Sequence, residues 1–375
     1  MKIEVYSPTI RRKEMDAVLT AMVEEKIGPG ERNRLLIQTA KELLRFEYAL
    51  ALRSPAVALF QALKALSVKQ GQYVVISALS PRYYLQVLQD LRLTPLYCDV
   101  TYDFPCMTRE LIESAIAKEN EIYTEQRADA GGSPFEIAAI VLHHTLGFAP
   151  DAAGIAEIGI PVIEDISQSY GFWLKPDANK EETASSDDKP AKKEDKSPNS
   201  LLPGVFCIIG LEERDMLTSG GGALLFAVNR KEASLLKNYA SLADEYCLPD
   251  INSALAVVQF KEAQRNLDRR HDIAEIFIKA GMRTRHKRFI PVNNDYCDYS
   301  FSLVLETGLK DVIAYAKKKE IILENAFENT VAGAGITDNC PVSNSLVLRT
   351  VLFPLYPRLS SQDIERISRL ITTLP

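Results

Sequence analysis

Apolar residues recur at Met15, Val18, Leu19, Met22 and Val23, the i, i+3, i+4, i+7, i+8 spacing of an amphipathic helix, and Gly28-Pro-Gly30 stops it. A second helix is predicted over about Glu31–Arg45. The period then shortens and lengthens in turn. Ala56, Leu59, Phe60 and Leu63 line one helix, and Leu85, Leu88 and Leu91 face a core from another. Short apolar runs between them read as strands: Val74–Ile76, Pro95–Asp99, Ile137–Leu142, Pro161–Asp165, Val205–Ile209 and Ala223–Phe226. Strands that alternate with helices and lack a polar face predict a mainly parallel sheet covered on both sides. Ligands in such sheets bind beyond the carboxyl ends of strands, and Asp165 closes one.

The pattern fails at Pro176–Ser200, which is rich in Lys, Glu, Asp and Ser and has no aromatic residue. Such a segment buries too little to order itself, so a disordered insertion is expected; Glu119–Pro134 is a weaker case. After Tyr246 a long helical stretch runs to Ala280. A smaller α/β region follows, with a strand at Tyr299–Leu305, a helix at Leu309–Lys319 and a final helix. That helix opens on Ser360-Ser-Gln-Asp363, a cap with an acid three residues on, and turns Ile364, Ile367 and Ile371 inward. The predicted division is a large domain over 1–245 and a smaller one over 246–375.

Composition narrows the function classes. A chain of 375 residues with 46% apolar and 25% charged residues is an ordinary globular protein with room for two domains. A net charge of −6 gives no broad basic surface, so no nucleic-acid partner is expected. No apolar run approaches the ~20 residues of a membrane span, and Met1–Ser7 has no signal-peptide core, so a cytoplasmic location is expected. The six cysteines, Cys98, Cys106, Cys207, Cys247, Cys297 and Cys340, show no metal spacing and read as free thiols.

Several motifs, in order, carry a resemblance. They are Lys26-Ile-Gly-Pro-Gly30, Thr94-Pro-Leu-Tyr-Cys-Asp-Val100, His144-Thr-Leu-Gly-Phe-Ala-Pro-Asp151, Pro161-Val-Ile-Glu-Asp-Ile-Ser-Gln168, Gly221-Gly-Ala223 and Phe353-Pro-Leu-Tyr-Pro357. Together they resemble the DegT/DnrJ/EryC1/StrS family of pyridoxal-phosphate (PLP) sugar aminotransferases over almost the whole chain. The resemblance implies a type I aminotransferase-like α/β fold: a large domain with a mainly parallel seven-stranded sheet flanked by helices, a smaller C-terminal α/β domain, and a dimer with sites at the subunit interface.

A PLP transaminase needs a lysine that holds the cofactor as an imine and shuttles protons. Counted back from Gly221-Gly-Ala223, the family's lysine position falls on Glu213, with Glu212, Arg214 or Asp215 one or two residues away. No lysine stands between Lys196 and Lys231, and no histidine, which some relatives use there for dehydration. The resemblance gives Asp165 as the acid beside the pyridine nitrogen and Gln168 as its companion. It places the phosphate turn at Ser54-Pro55-Ala56, where proline lacks a donor N–H and alanine lacks a hydroxyl. A second phosphate hydroxyl falls on Ile208, the stacking ring on Pro81 with Tyr83 and Tyr84 near, and the cross-subunit asparagine near Tyr246, Asn252 being the nearest asparagine. His144 joins the same inherited pocket.

The acid is kept while the other cofactor groups are replaced. The leading reading is therefore a pseudoenzyme with no PLP, acting as partner of an active paralogue, or homodimeric, or as a nucleotide-sugar binder. Two others stay open. One is an active PLP aminotransferase or dehydratase in amino-sugar or surface-polysaccharide synthesis, with a relocated lysine such as Lys231 or Lys237. The other is a PLP-free enzyme using Glu213, Asp165 and His144, against the plainer reading of Glu212–Asp215 as a solvated charged turn. Without its partner, Asp165 would need a substitute donor, expected from Arg214 or a tyrosine.

Overall fold

The computed structural model describes residues 2–127, 135–171, 204–239, 241–291 and 296–375. Pro176–Ser200 lies outside the described residues, as does 128–134. The N-terminal part contains α1 (Arg12–Val23), α2 (Glu31–Leu44), β1 (Tyr48–Leu52), α3 (Pro55–Ala65), β2 (Tyr73–Ser77), α4 (Tyr83–Asp90), β3 (Thr94–Cys98) and α5 (Arg109–Arg127). The middle contains β4 (Ile137–His143), α6 (Ala152–Ala156), β5 (Val162–Asp165), β6 (Phe206–Gly210), β7 (Ala223–Ala227) and α7 (Arg230–Lys237). The last part contains α8 (Asp250–Lys261), α9 (Ala263–Gly281), β8 (Phe301–Val304), α10 (Leu309–Lys318), β9 (Glu324–Asn325), α11 (Pro341–Val347), β10 (Thr350–Phe353) and α12 (Ser361–Thr372).

A seven-stranded sheet has the order β1-β7-β6-β5-β4-β2-β3. Strands β2 to β6 pair in parallel, and only β7 runs against its neighbours. Alternate residues divide between two cores. Val141, Ile163, Phe206, Ile208 and Leu225 face one cluster with α3 and α4, while Cys207, Ile209, Leu224 and Phe226 face the other with α2 and α8. Burial of both faces explains the unbroken apolar runs. The smaller sheet has the order β8-β10-β9, is antiparallel, and packs against α9, α10 and α12. The N-terminus reaches this part too, since Ile3 bridges Ile321.

Three expectations change. Residues 119–127 continue helix α5 rather than forming a loose segment. Strand β1 was not predicted: Tyr48-Ala-Leu-Ala-Leu52 is short and alanine-rich, and only its place beside β7 makes it a strand. Helix α1 forms, but its apolar face does not enter the core. Met15, Leu19 and Met22 are each about half exposed and Val23 is 83% exposed, while Glu14 and Ala21 are buried. The reason is that α1 docks on α8 by its small and polar side: Gln259 donates to Glu14 at 3.3 Å and to the carbonyl of Thr9 at 3.1 Å. At the other end of the chain, Ser360 caps α12 by accepting from the Asp363 N–H at 3.1 Å, and Ile364, Ile367 and Ile371 are buried.

Candidate functional site

Strands β4, β5 and β6 end on one side of the sheet, and His143 sits opposite Asp165 in the parallel register. Both share the face of Val141 and Ile163, so their side chains turn toward the N-terminus of α4. A cavity of about 260 Å³ lies over these ends. The 212–215 turn closes one side, and the 324–330 segment and Tyr299 from the C-terminal part close another.

Asp165 is 1% exposed and accepts from four donors. Tyr83 and Tyr84 hydroxyls reach Oδ2 at 3.0 and 2.7 Å. The Ser167 N–H and hydroxyl reach Oδ1 at 3.1 and 2.5 Å. Two oxygens offer about four acceptor sites, so these donors fill the carboxylate. Burial, with Asp165 beside them, pushes both tyrosine hydroxyls far above their usual range, so they remain donors. Ser167 Oγ also accepts from the Gly210 N–H at 2.7 Å. A Cβ at Gly210 would collide with Ser167 Oγ and Asp215 Oδ2, so the end of β6 needs glycine for this close approach.

His143 is 4% exposed, with Nδ1 2.9 Å from Thr145 Oγ1. Burial and the neighbouring His144 lower its pKa to about 4, against the pull of Asp165. It is therefore neutral near pH 7. Half-buried Asp215 faces the same cavity and takes the Glu212 N–H on Oδ2 at 2.8 Å. Burial raises its carboxyl well above the usual range, with Asp165 and Glu212 adding to it and the Glu212 N–H opposing. Arg214 lines the cavity but is engaged: it meets Glu324 at 2.6 and 3.3 Å and lies 4.6 Å over the Tyr6 ring.

The residues expected to share a pocket separate into groups. Asp165, Gln168 and Pro81 line the cavity. Gln168 Oε1 accepts from the Leu146 N–H at 2.6 Å, fixing a left-handed turn at Leu146 (φ 56°). Glu213 turns the other way, toward Tyr6 and a small cleft at residues 6–9; its carboxylate pushes the Tyr6 phenol up. His144 also points away, because strand parity sends neighbouring residues to opposite faces. It joins a buried row, with Nδ1 2.7 Å from Ser169 Oγ and Nε2 3.4 Å from Glu164 Oε2. Ser54 caps its own helix by accepting from the Val57 N–H at 3.2 Å, and Pro55 rather than Ala56 lines the cavity. Ile208 is fully buried core, and Tyr246 is 44% exposed beside β1. Asn252 donates to the Ser219 carbonyl at 2.8 Å. A wider groove of about 470 Å³ along edge strand β1 holds none of the strand-end groups.

The sequence reading missed His143, Asp215 as an inward-facing acid, Ser167, and the 324–330 wall. Parity would have found the first: His143, not His144, lies in phase with Val141. The donor for Asp165 is a tyrosine pair, one of the two substitutes expected.

Residues 8–178 match the model of the DegT/DnrJ/EryC1/StrS aminotransferase family. The resemblance carried by the motifs holds, and likeness of fold extends over the whole chain. The aminotransferase TlmJ from Streptoalloteichus hindustanus superposes with a TM-score of 0.77 at 19% identity, covering 99% of this chain and 98% of that one. A sugar aminotransferase, Spr1654 from Streptococcus pneumoniae, solved in its PLP form, gives 0.79 at 17% identity, covering 100% and 98%. The E. coli GDP-4-keto-6-deoxy-D-mannose-3-dehydratase with bound hydrated PLP gives 0.75 at 14% identity, covering 99% of each chain. The fold is thus the α/β fold of PLP-dependent aminotransferases, and two of these neighbours hold PLP in their solved structures. Among the described residues the chain has no helix long and apolar enough to cross a membrane and no group of metal-binding side chains.

Proposed function

We propose that this chain is a non-catalytic relative of the sugar aminotransferases that has given up PLP. The observation that carries the reading is the pair of hydroxyls on Asp165 Oδ2. In the family this acid meets the pyridine nitrogen; here two tyrosine hydroxyls bond the same carboxylate oxygen. Other features support the same reading. No lysine lines the cavity among the described residues. The α3 N-terminus, where the family's phosphate would sit, starts on Pro55 and uses Ser54 for its own cap. These residues do not fit a phosphate-bearing aldehyde.

Such a protein acts through what it binds. The open apolar face of α1 supports pairing with a second copy or with an active relative. The cavity supports a small sugar-like ligand, and a nucleotide-linked sugar fits that reading where the ligand's far end leaves the cavity mouth. The deciding experiment is the visible absorbance of the purified protein with added PLP, followed by borohydride reduction and peptide mapping. The expected result is no cofactor band and no specific adduct. A reduced adduct on one lysine would restore an active aminotransferase or dehydratase and identify the replacement residue. Co-expression with an active relative, followed by isolation of a mixed dimer, tests the partnership.

A further inference from the structure

We propose that one end of the C-terminal sheet is a docking surface that lays this chain on an anionic lipid bilayer without crossing it. The surface is built from two turns beside the end of β8. The first follows α9 and reads Met282-Arg-Thr-Arg-His-Lys287. The second follows α11 and reads Leu348-Arg349. Lys287 pairs with Val304 on one side of β8, through backbone bonds of 3.0 and 2.8 Å, and Thr350 pairs with Val304 on the other. Two strand spacings, about 10 Å, therefore separate Lys287 from Thr350. The Leu305 N–H donates to the Arg349 carbonyl at 2.8 Å, and the Glu306 N–H donates to His286 Nδ1 at 3.3 Å. Both turns are thus tied to the same strand end.

The first support is charge. Arg283, Arg285, Lys287 and Arg349 are exposed, and none of their side chains has an ion-pair or hydrogen-bond partner among the described residues. Arg288 differs, lying half-buried over the Phe301 ring. Glu306 is the one acid on residues 282–287, 305–308 and 347–349, and Lys310 and Asp311 just beyond offset each other. Four cations against one acid leave a local excess of three positive charges in a chain whose net charge is −6. Such a local excess attracts an anionic surface although the molecule as a whole is acidic. Arginine suits lipid phosphates, since its guanidinium bonds their oxygens in pairs.

The second support is an apolar tip on each turn, immediately before its arginine. Met282 is 78% exposed and Leu348 is 71% exposed. A nucleic acid offers phosphates but no apolar layer to receive these side chains. A bilayer offers both, phosphates to the arginines and acyl chains to the tips. Two short tips among cations place the protein at the interface plane, in keeping with the lack of a membrane-crossing helix among the described residues.

The test is co-sedimentation of the full chain with vesicles of phosphatidylcholine, alone or with about 30% phosphatidylserine, at low salt and at about 0.5 M salt. Binding to the anionic vesicles is expected to be about tenfold tighter than to the neutral ones and to be lost at high salt. Arg283→Gln with Arg349→Gln should weaken it about 25-fold, about fivefold for each charge. Met282→Ser with Leu348→Ser should weaken it about tenfold. All four positions are exposed, so thermal melts should not move. No binding to anionic vesicles at low salt, equal binding to both kinds, or binding that the arginine variant leaves unchanged overturns the proposal. Tighter binding to a DNA duplex than to anionic vesicles, lost with the arginines and indifferent to the tips, would assign the surface to nucleic acid and overturn it too. None of these outcomes bears on PLP, which is tested at the strand-end cavity.

Discussion

His143 and Asp165 stand opposite each other at the ends of the adjacent parallel strands β4 and β5, and both side chains lie on one face of the sheet. The pair links a neutral imidazole to a carboxylate whose acceptor sites are filled by other donors. Asp165 pulls the ring toward protonation, but burial outweighs that pull and decides the ring's state.

This gives a pH dependence with a definite sign. His143 titrates at about 4 when folded, against an ordinary value of 6.5. Between those values the unfolded chain takes up a proton that the folded chain refuses, so stability is full above about pH 6.5 and falls as the pH drops toward 4. The loss is on the order of 3 kcal/mol, taking about 1.4 kcal/mol for each pH unit of the shift. Denaturant unfolding of the wild type and His143→Gln at pH 7 and near pH 4 isolates the effect, since the variant lacks this component. Parallel pH profiles would show that the folded ring is protonated in the same range as the unfolded one.

Much of this was legible in the sequence, for a physical reason. Strands buried on both faces must be continuously apolar, so β2 to β7 are visible as short runs, and Asp165 is visible as the polar residue that ends one. What was not legible depends on direction. Counting from Gly221-Gly-Ala223 cannot tell that Glu213 points to Tyr6 while Asp215 points inward, because the turn at 211–222 has no period. Gly222, at φ 128° and packed against Leu248, marks the turn but does not set which side chains face the cavity. Strand β1 and the 324–330 wall carry no pattern of their own and are defined by their neighbours.

Tyr84 is fully buried and donates the shorter of the two hydroxyl bonds to Asp165 Oδ2. Tyr84→Phe keeps the ring and removes one donor to a buried carboxylate. The expected cost is about 1.5–3 kcal/mol in denaturant unfolding. A cost near zero would mean that Tyr83 or solvent takes over the bond.

The exposed stripe of α1 separates association from folding. Met22→Lys places a charge at a position about half exposed in the single chain, so monomer stability should change by no more than about 0.5 kcal/mol. If a second chain covers this face, the same substitution should shift the protein to monomer in light scattering at micromolar concentration. An unchanged mass would remove α1 from the interface.

The lysine position itself can be tested by returning the missing amine. Counting assigns it to Glu213, and geometry assigns cavity access to Asp215, two residues on. An imine forms only where an amine can reach a bound aldehyde, so Asp215→Lys should yield a borohydride-trapped PLP adduct at position 215 and Glu213→Lys should yield none above background. The adduct should be weak, because Asp165 keeps its tyrosine donors and the α3 N-terminus keeps its proline. Adding Tyr83→Phe and Tyr84→Phe to Asp215→Lys frees Oδ2 and should raise the trapped fraction. Since Asp215 Oδ2 also holds the Glu212 N–H, a thermal melt must show that the turn survives. An adduct at 213 and not at 215 would mean that the turn reverses its facing when a ligand enters, and the placement of Asp215 in the cavity would fall.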